Sequence, residues 1–221
     1  MAGLLPGRFM VAEQFVAEIP RGTGLRAGPT VADARELEMV TEILSEAFHD
    51  DPVLRWINTS PEFAPSFFRM ILPAFMEKGL TYVDGDGRGA ASWLGPEDHV
   101  RWPYTLGNLV SMTRLCGFRG MLRLASSGSR TSHYHPREPH YYLFAIGALQ
   151  RCQGQGVGSS LIGHVLRRCD VEQVPAYLEN SRQANLDFYR GHGFEILRKI
   201  QFAESAPPVW LMWREPQTPA P

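Results

Sequence analysis

Gln153-Gly154-Gln155-Gly156-Val157-Gly158-Ser159 is the stretch whose reading decides the fold. Before it, residues 141–149 form an uninterrupted apolar run that reads as a buried strand. After it, Val157, Leu161, Ile162, Val165 and Leu166 fall on one face of a helix over 157–168. Glycines at such a junction let the backbone approach a ligand closely. The free N–H groups of the first helical turn then point at whatever the loop holds, and the helix dipole favours an anion, a diphosphate being well matched. The P-loop pattern fails because no lysine follows these glycines. The dinucleotide fingerprint would need Ser159 to be its third glycine, and the stretch falls late in the chain rather than after a first strand. The pattern [Gln/Arg]-x-x-Gly-x-[Gly/Ala] is filled by Gln153, Gly156 and Gly158. Spacing alone leaves a purely structural glycine turn open.

Working outward, the downstream half predicts a strand from Ala176, a short helix over 183–190, and strands over 194–200 and 209–213. Upstream, Leu37, Val40, Ile43, Leu44 and Phe48 predict a helix over 31–48, broken by His49-Asp50-Asp51-Pro52. A second helix is expected over 61–77. Strands over 80–83 and 90–94 flank the turn Asp-Gly-Asp-Gly-Arg-Gly, a hairpin signal. A glycine-weakened helix over 104–125 and a polar loop over 126–138 complete the reading. Residues 1–29, punctuated by Pro and Gly, read as an N-terminal extension with a short element over 10–19, and 215–221 as a disordered tail. Strands alternating with helices define an α/β class with one central sheet.

The 221 residues suit one domain of 30–214, large enough to fold without disulfides or metal. Lys plus Arg is 22 against 23 Asp plus Glu, so no bulk positive field exists to hold nucleic acid or an anionic membrane. The three cysteines, Cys116, Cys152 and Cys169, form no C-x-x-C pair and point to a reduced, cytoplasmic compartment. No apolar stretch reaches the ~20 residues of a membrane-spanning helix. The N-terminus lacks the basic start of a secretory signal.

The strand, the [Gln/Arg]-x-x-Gly-x-Gly loop and the helix resemble the acetyl-CoA pyrophosphate loop of the GNAT superfamily of N-acetyltransferases. Downstream, Ala-Tyr-Leu-Glu-Asn-Ser-Arg-Gln-Ala-Asn-Leu-Asp-Phe-Tyr-Arg-Gly-His-Gly-Phe is similar to the second motif of that superfamily, where an Asn precedes a Tyr by one helical turn. Within the superfamily, the run from His135 through the glycine loop to Ile196 is most similar to the puromycin N-acetyltransferase-like group. The resemblance implies a single GNAT-type domain. Its mixed sheet of about six to seven strands would be splayed at the acetyl-CoA site and flanked by helices. It implies acetyl-CoA as cosubstrate, with no metal.

By correspondence with the family, Ile146, Gly147 and Ala148 on the splayed strand offer main-chain groups to pantetheine and the thioester oxygen. Gly147 is consistent with a bulge that splays the strand, or with close packing. Gln153, Gly154, Gln155, Gly156, Val157, Gly158 and Ser159 hold the diphosphate, and Asn185 adds to the cofactor site. Asn185 and Tyr189 share a helix face. Spacing alone leaves Tyr189 between packing and chemistry, and the family pattern makes it the general acid that protonates the leaving thiolate. Glu179 ends the strand Pro-Ala-Tyr-Leu-Glu beside the expected gap. It is a base, an ammonium-binding group or a bland carboxylate. His49, Asp50 and Asp51 are candidates for the acceptor mouth. His133, His135 and His140 crowd the loop before the central strand in no standard metal-ligand spacing. Trp56, Trp93, Trp102 and Tyr104 are candidate aromatic walls, with core packing preferred for Trp93. Cys152, beside Arg151, has no activating base in sequence. The reaction expected is direct attack of a small-molecule amine on the thioester in a ternary complex. Acetylation of a protein lysine or N-terminus, and a non-catalytic CoA-binding sensor, are the alternatives. Oligomeric state is not legible.

Overall fold

The computed structural model describes residues 28–100 and 105–218. The expected element over 10–19, Trp102, Tyr104 and the last residues of the expected tail lie outside the described residues.

Seven strands form one mixed, open sheet: β1 (Thr30–Val31), β2 (Thr81–Val83), β3 (Gly89–Leu94), β4 (Tyr141–Ala148), β5 (Ala176–Asn180), β6 (Glu195–Gln201) and β7 (Pro208–Arg214). The order across the sheet is β1-β2-β3-β4-β5-β7-β6. Only the central β4–β5 pair is parallel. A parallel neighbour needs a crossover, and α5 (Val157–Glu172) provides it.

Helix α1 (Leu37–Ala47) and α5 cover opposite faces. A Cβ placed on Gly147 would meet Ala47 of α1, and one on Gly89 would meet Val157 and Leu161 of α5. Gly147 pairs with Ala90 and Gly89 with Ala148, so the two glycines belong to adjacent registers that point to opposite faces. Helix α3 (Phe63–Met76) layers onto α1. Trp93, Tyr141, Tyr177 and Phe68 are among the largest fully buried side chains.

Four boundaries depart from the sequence reading. Val31 is in a strand paired with Tyr82, not in the first helix. Asp33 forms a capping box with Glu36, which sets a 3-10 turn at Ala34–Glu36 and starts α1 at Leu37. The break at Pro52 opens a new helix, α2 (Pro52–Ile57). Asp51 caps it, accepting from the Val53 and Leu54 N–H groups at 2.9 Å, and Pro52 takes the first position, where its missing N–H costs nothing. The expected polar loop over 126–138 is helical through Tyr134, within α4 (Leu106–Tyr134), whose two arms meet at a kink at Gly117. Ser126 and Ser127 turn their hydroxyls back to the carbonyls of Arg123 and Leu124, at 2.9 and 2.8 Å, and so tolerate a helix interior. The short helix over 183–190 divides into a 3-10 turn, Gln183–Asn185, and α6 (Leu186–Gly191).

Candidate functional site

Strand β4 supplies the frame. It pairs with β5 only at Tyr141, Tyr142 and Leu143, yet it runs on to Ala148 while β5 runs on to Asn180. Beyond Leu143 the two strands part. The cause lies on the other edge of β4, where Ser92 pairs with Ala145 but Trp93 pairs with Leu143, so Phe144 is an inserted residue. Such a bulge bends its strand and ends regular pairing. The bulge is therefore at Phe144 and not at Gly147. Gly147 sits in regular register, and its missing side chain serves packing: a Cβ there would lie 2.4 Å from that of Ala47. Ile146, Gly147 and Ala148 present their main chain along one side of the gap.

A 3-10 turn, Gln150–Cys152, leads into the glycine loop. Gly154 and Gly156 have φ of 74° and 80°, a left-handed conformation open to glycine at little cost. A Cβ on either would meet nothing within 4 Å, and Gln153, Gly154, Gln155 and Gly156 are exposed, so the loop faces open space. Val157 anchors α5 beneath the sheet, 3 % exposed. The first N–H bonded inside α5 is that of Ser160, to the Gly156 carbonyl at 2.9 Å. The N–H groups of Val157, Gly158 and Ser159 precede it and have no acceptor within the helix. This donor set at a positive dipole end fits a diphosphate. The Gln155 side chain folds back onto the Arg151 carbonyl, at 3.0 Å. Cys152 is buried, and Cys116, Cys152 and Cys169 are all free thiols.

Helix α6 closes on this loop from the side. The Phe188 ring would touch a Cβ on Gly158 at 3.4 Å. Asn185 is half-buried at the start of α6, and Tyr189 is buried one turn later. Burial, with the Asp51 charge in addition, pushes the Tyr189 hydroxyl above its usual range.

Asp51 is a hinge between segments. Besides capping α2 it accepts the Ser181 hydroxyl, while Asp50 pairs with Arg182. The turn after β5 is thereby tied to the turn after α1. Burial pushes the Asp51 carboxyl up, against the hydrogen bonds from Ser181, Leu54 and Val53.

Between these parts lies a cavity of about 870 Å³. Phe67, Phe68, Phe75 and Phe144 form its apolar wall, and α4 contributes Met112, Leu124 and Ser132. Phe144 stacks on Phe75 at 4.2 Å. Glu179, Asp51, Ser181 and His135 are among its polar groups, beside the point where β4 and β5 separate, and Asp98 and His99 line it as well. The Glu179 carboxyl, 14 % exposed, accepts from the Tyr177 hydroxyl at 3.1 Å and the Tyr142 hydroxyl at 3.5 Å. His135 Nδ1 stands 3.6 Å from its Oε1. Burial and then the Glu179 charge push both tyrosines far above their usual range, so each remains a neutral donor.

The structure thus brings Glu179, Asp51 and His135 to one cavity. It leaves His49 and Asp50 off that lining. Trp93 is a core residue, fully buried, and Trp56 lies on another cluster, donating to Ser205 at 3.3 Å. The phenylalanines of α3 and β4 supply the walls instead. Sequence reasoning missed Tyr142 and Tyr177; the signal for Tyr177 is its place two residues before Glu179 on one strand, and Tyr142 follows only from its register with Tyr177 on the parallel neighbour. It also missed the joining of His135 to Glu179, for which linear spacing carries no signal.

This frame is that of an acyl-transfer enzyme. Residues 90–194 match the sequence model of the acetyltransferase (GNAT) family. The chain is a single GNAT-type α/β domain and an acyltransferase of that kind. It is 27 % identical over 203 residues to an uncharacterized N-acetyltransferase of Schizosaccharomyces pombe, covering 84 % of this chain and 82 % of that one. A Corynebacterium glutamicum structure, described as histone acetyltransferase HPA2 and related acetyltransferase, is 25 % identical. It superposes with a TM-score of 0.61 over 88 % of this chain and all 100 % of that one. Arylalkylamine N-acetyltransferase 2 of Aedes aegypti shares the fold, with a TM-score of 0.58 at 11 % identity over 86 % of this chain and 98 % of that one. The family implies acetyl-CoA as cosubstrate. Among the described residues no helix is long and apolar enough to cross a membrane.

Proposed function

We propose that this chain transfers acetyl from acetyl-CoA to the primary amine of a small molecule with a bulky apolar body, by direct attack in a ternary complex. One observation carries the reading: an apolar, phenylalanine-walled cavity ends on the Glu179 carboxylate, at the place where β4 and β5 separate. An apolar wall bordered by the carboxyl groups of Glu179, Asp51 and Asp98 suits an amine that is greasy at one end and cationic at the other.

Acetyl-CoA supplies an activated thioester when bound. The N–H groups of Val157, Gly158 and Ser159, with Gln153, Gly154, Gln155 and Gly156 around them, would hold its diphosphate, and Asn185 would lie alongside. The main chain of Ile146, Gly147 and Ala148 would align the acyl arm and stabilise negative charge on the carbonyl oxygen. A fixed donor in that position is worth about 3–4 kcal/mol. Glu179 binds the acceptor ammonium and takes its proton, steadied by the two tyrosine hydroxyls. Tyr189 gives a proton to the leaving thiolate. Its burial keeps it protonated at neutral pH and makes it a weaker acid than a free phenol.

The acceptor class rests on the cavity. The motif likeness to puromycin N-acetyltransferases supports an aminonucleoside or a similar toxic amine. Solved structures of the same fold are named for arylalkylamines and agmatine. Because α4 forms part of the wall, a small molecule suits the cavity better than a polypeptide tail. The test is release of CoA thiol from acetyl-CoA against a panel of aryl- and alkylamines, aminonucleosides, polyamines and lysine peptides. Turnover is expected with amines bearing an aromatic or branched apolar body. Preference for peptides would move the function to protein acetylation. Tight acetyl-CoA binding without turnover of any amine would leave a CoA sensor.

A further inference from the structure

The Glu179 carboxylate is backed by a second titratable pair. His140 is 7 % exposed and makes two ring contacts: Nδ1 lies 2.6 Å from the Glu138 carbonyl, and Nε2 lies 3.1 Å from His135 Nε2. A carbonyl oxygen can only accept, so His140 Nδ1 carries a hydrogen. Burial holds the His140 imidazole below its usual range, against the Glu138 carbonyl, with His135 adding to the effect. A neutral ring has one N–H, so His140 Nε2 is a lone pair. His135 Nε2 must then donate to it, which leaves His135 Nδ1 as the atom facing Glu179, 3.6 Å from Oε1. In neutral His135 that nitrogen is a second acceptor opposed to a carboxylate. The pair is therefore built to receive one proton between them.

His135 also lines both cavities. Besides the apolar one, it borders a smaller space of about 380 Å³ edged by Glu97, Asp98, His99, Arg137 and Glu138, with a third of its side chain exposed. The titratable groups that face its ring are His140 and Tyr142 on β4 and its approach, and Tyr177 and Glu179 on β5. Trp213 of β7 closes the far side of His140.

We propose that His135 is the proton acceptor behind Glu179 and that His140 is its positioning residue, fixing the tautomer that aims Nδ1 at the carboxylate. The step extends the assignment of Glu179 as base and rests on it. The ammonium N–H bond breaks, its electron pair stays on nitrogen, and an O–H forms on Glu179. That proton passes to His135 Nδ1, restoring the carboxylate, and the imidazolium releases it to solvent water in the polar cavity.

The test compares pH profiles of kcat and kcat/KM for the full chain and for Glu179→Gln, His135→Gln and His140→Phe, with acetyl-CoA affinity as the check on folding. His135→Gln is expected to lower kcat about tenfold to hundredfold, with acetyl-CoA affinity within about twofold. Added imidazole should restore kcat in His135→Ala, which a merely structural histidine does not permit. In the unmodified protein, 15N spectra should show hydrogen on His140 Nδ1 and on His135 Nε2. A His135→Gln variant with a normal pH profile, alongside a crippled Glu179→Gln, would overturn the relay and leave the base standing. Full activity in Glu179→Gln would overturn both. Hydrogen on His140 Nε2 would overturn the tautomer argument whether or not any variant folds.

Discussion

Tyr189 shows how far one residue's surroundings decide its use. Its ring packs edge-on against Phe188 and Phe194, and its buried hydroxyl is close enough to Asp51 to feel its charge. Such a phenol stays protonated across the neutral range, so in the proposed role its proton is always in place for the leaving thiolate; because a thiolate is the weaker base of the two, the phenolate must be reprotonated from water at once. Tyr189→Phe keeps the ring and its packing. It should lower kcat about a hundredfold while acetyl-CoA affinity, measured by calorimetry, stays within about twofold. Unchanged turnover would assign the proton to water. The sequence motif made Tyr189 visible, because a family pattern marks it. Glu179 was visible only as a position, since Tyr142 and His135 come from elsewhere in the chain and meet it only on folding, whereas Tyr177 stands two residues before it on the same strand.

At the scale of elements, the packing of α1 on β4 fixes the gap. Gly147 and Ala47 cannot both carry a full side chain at this separation. Gly147→Ala should lower unfolding free energy by about 1–3 kcal/mol, as overpacking does. The second change, Ala47→Gly, should return part of that loss despite glycine's cost of about 1 kcal/mol within a helix. Denaturant midpoints for the two single variants and the pair check it, and simple additivity would deny the contact. The glycine loop offers a separate test on binding. Gly156→Asp places a carboxylate where a diphosphate is proposed and should weaken acetyl-CoA binding by more than about 2 kcal/mol, roughly thirtyfold or more. Gly156→Ala, equally strained at φ 80° but uncharged, should lose less. The buried strands and the amphipathic helices α1, α3 and α5 were legible because their periodicity matches the face they bury. Helix α2 and the last part of α4, residues 126–134, were not. Pro52 signals a stop as strongly as a start, and Ser126 and Ser127 look like loop until their hydroxyls are seen bonding back.

For the molecule as a whole, the phenols are the most telling titration. Of seven tyrosines, Tyr82, Tyr141, Tyr142, Tyr177 and Tyr189 are all pushed above the usual value of 10.0, burial being the first cause for each. A phenol whose folded pKa exceeds its unfolded one keeps its proton after the unfolded chain has lost it. Its stabilising effect is therefore complete below about pH 10 and declines as pH rises further, by up to about 1.4 kcal/mol per pH unit for each group. Alkaline unfolding should be steep and begin just above pH 10. Absorbance at the phenolate band should rise in one cooperative step that coincides with loss of circular dichroism. A gradual titration of all phenols in a folded protein would contradict this.

Strand β6 closes the sheet on one side with nearly every residue exposed, Ile196 and Leu197 included. It pairs with β7 through an irregularity that leaves Leu197 without a partner, and Arg198 and Lys199 follow at once, each lying over an aromatic ring. An open edge of this length is a template for another chain, and a bulge followed by two cations spoils that template. A guard against edge-to-edge association is thus written into a strand that takes no part in the candidate site. Arg198→Thr combined with Lys199→Thr should leave turnover unchanged while light scattering reports self-association.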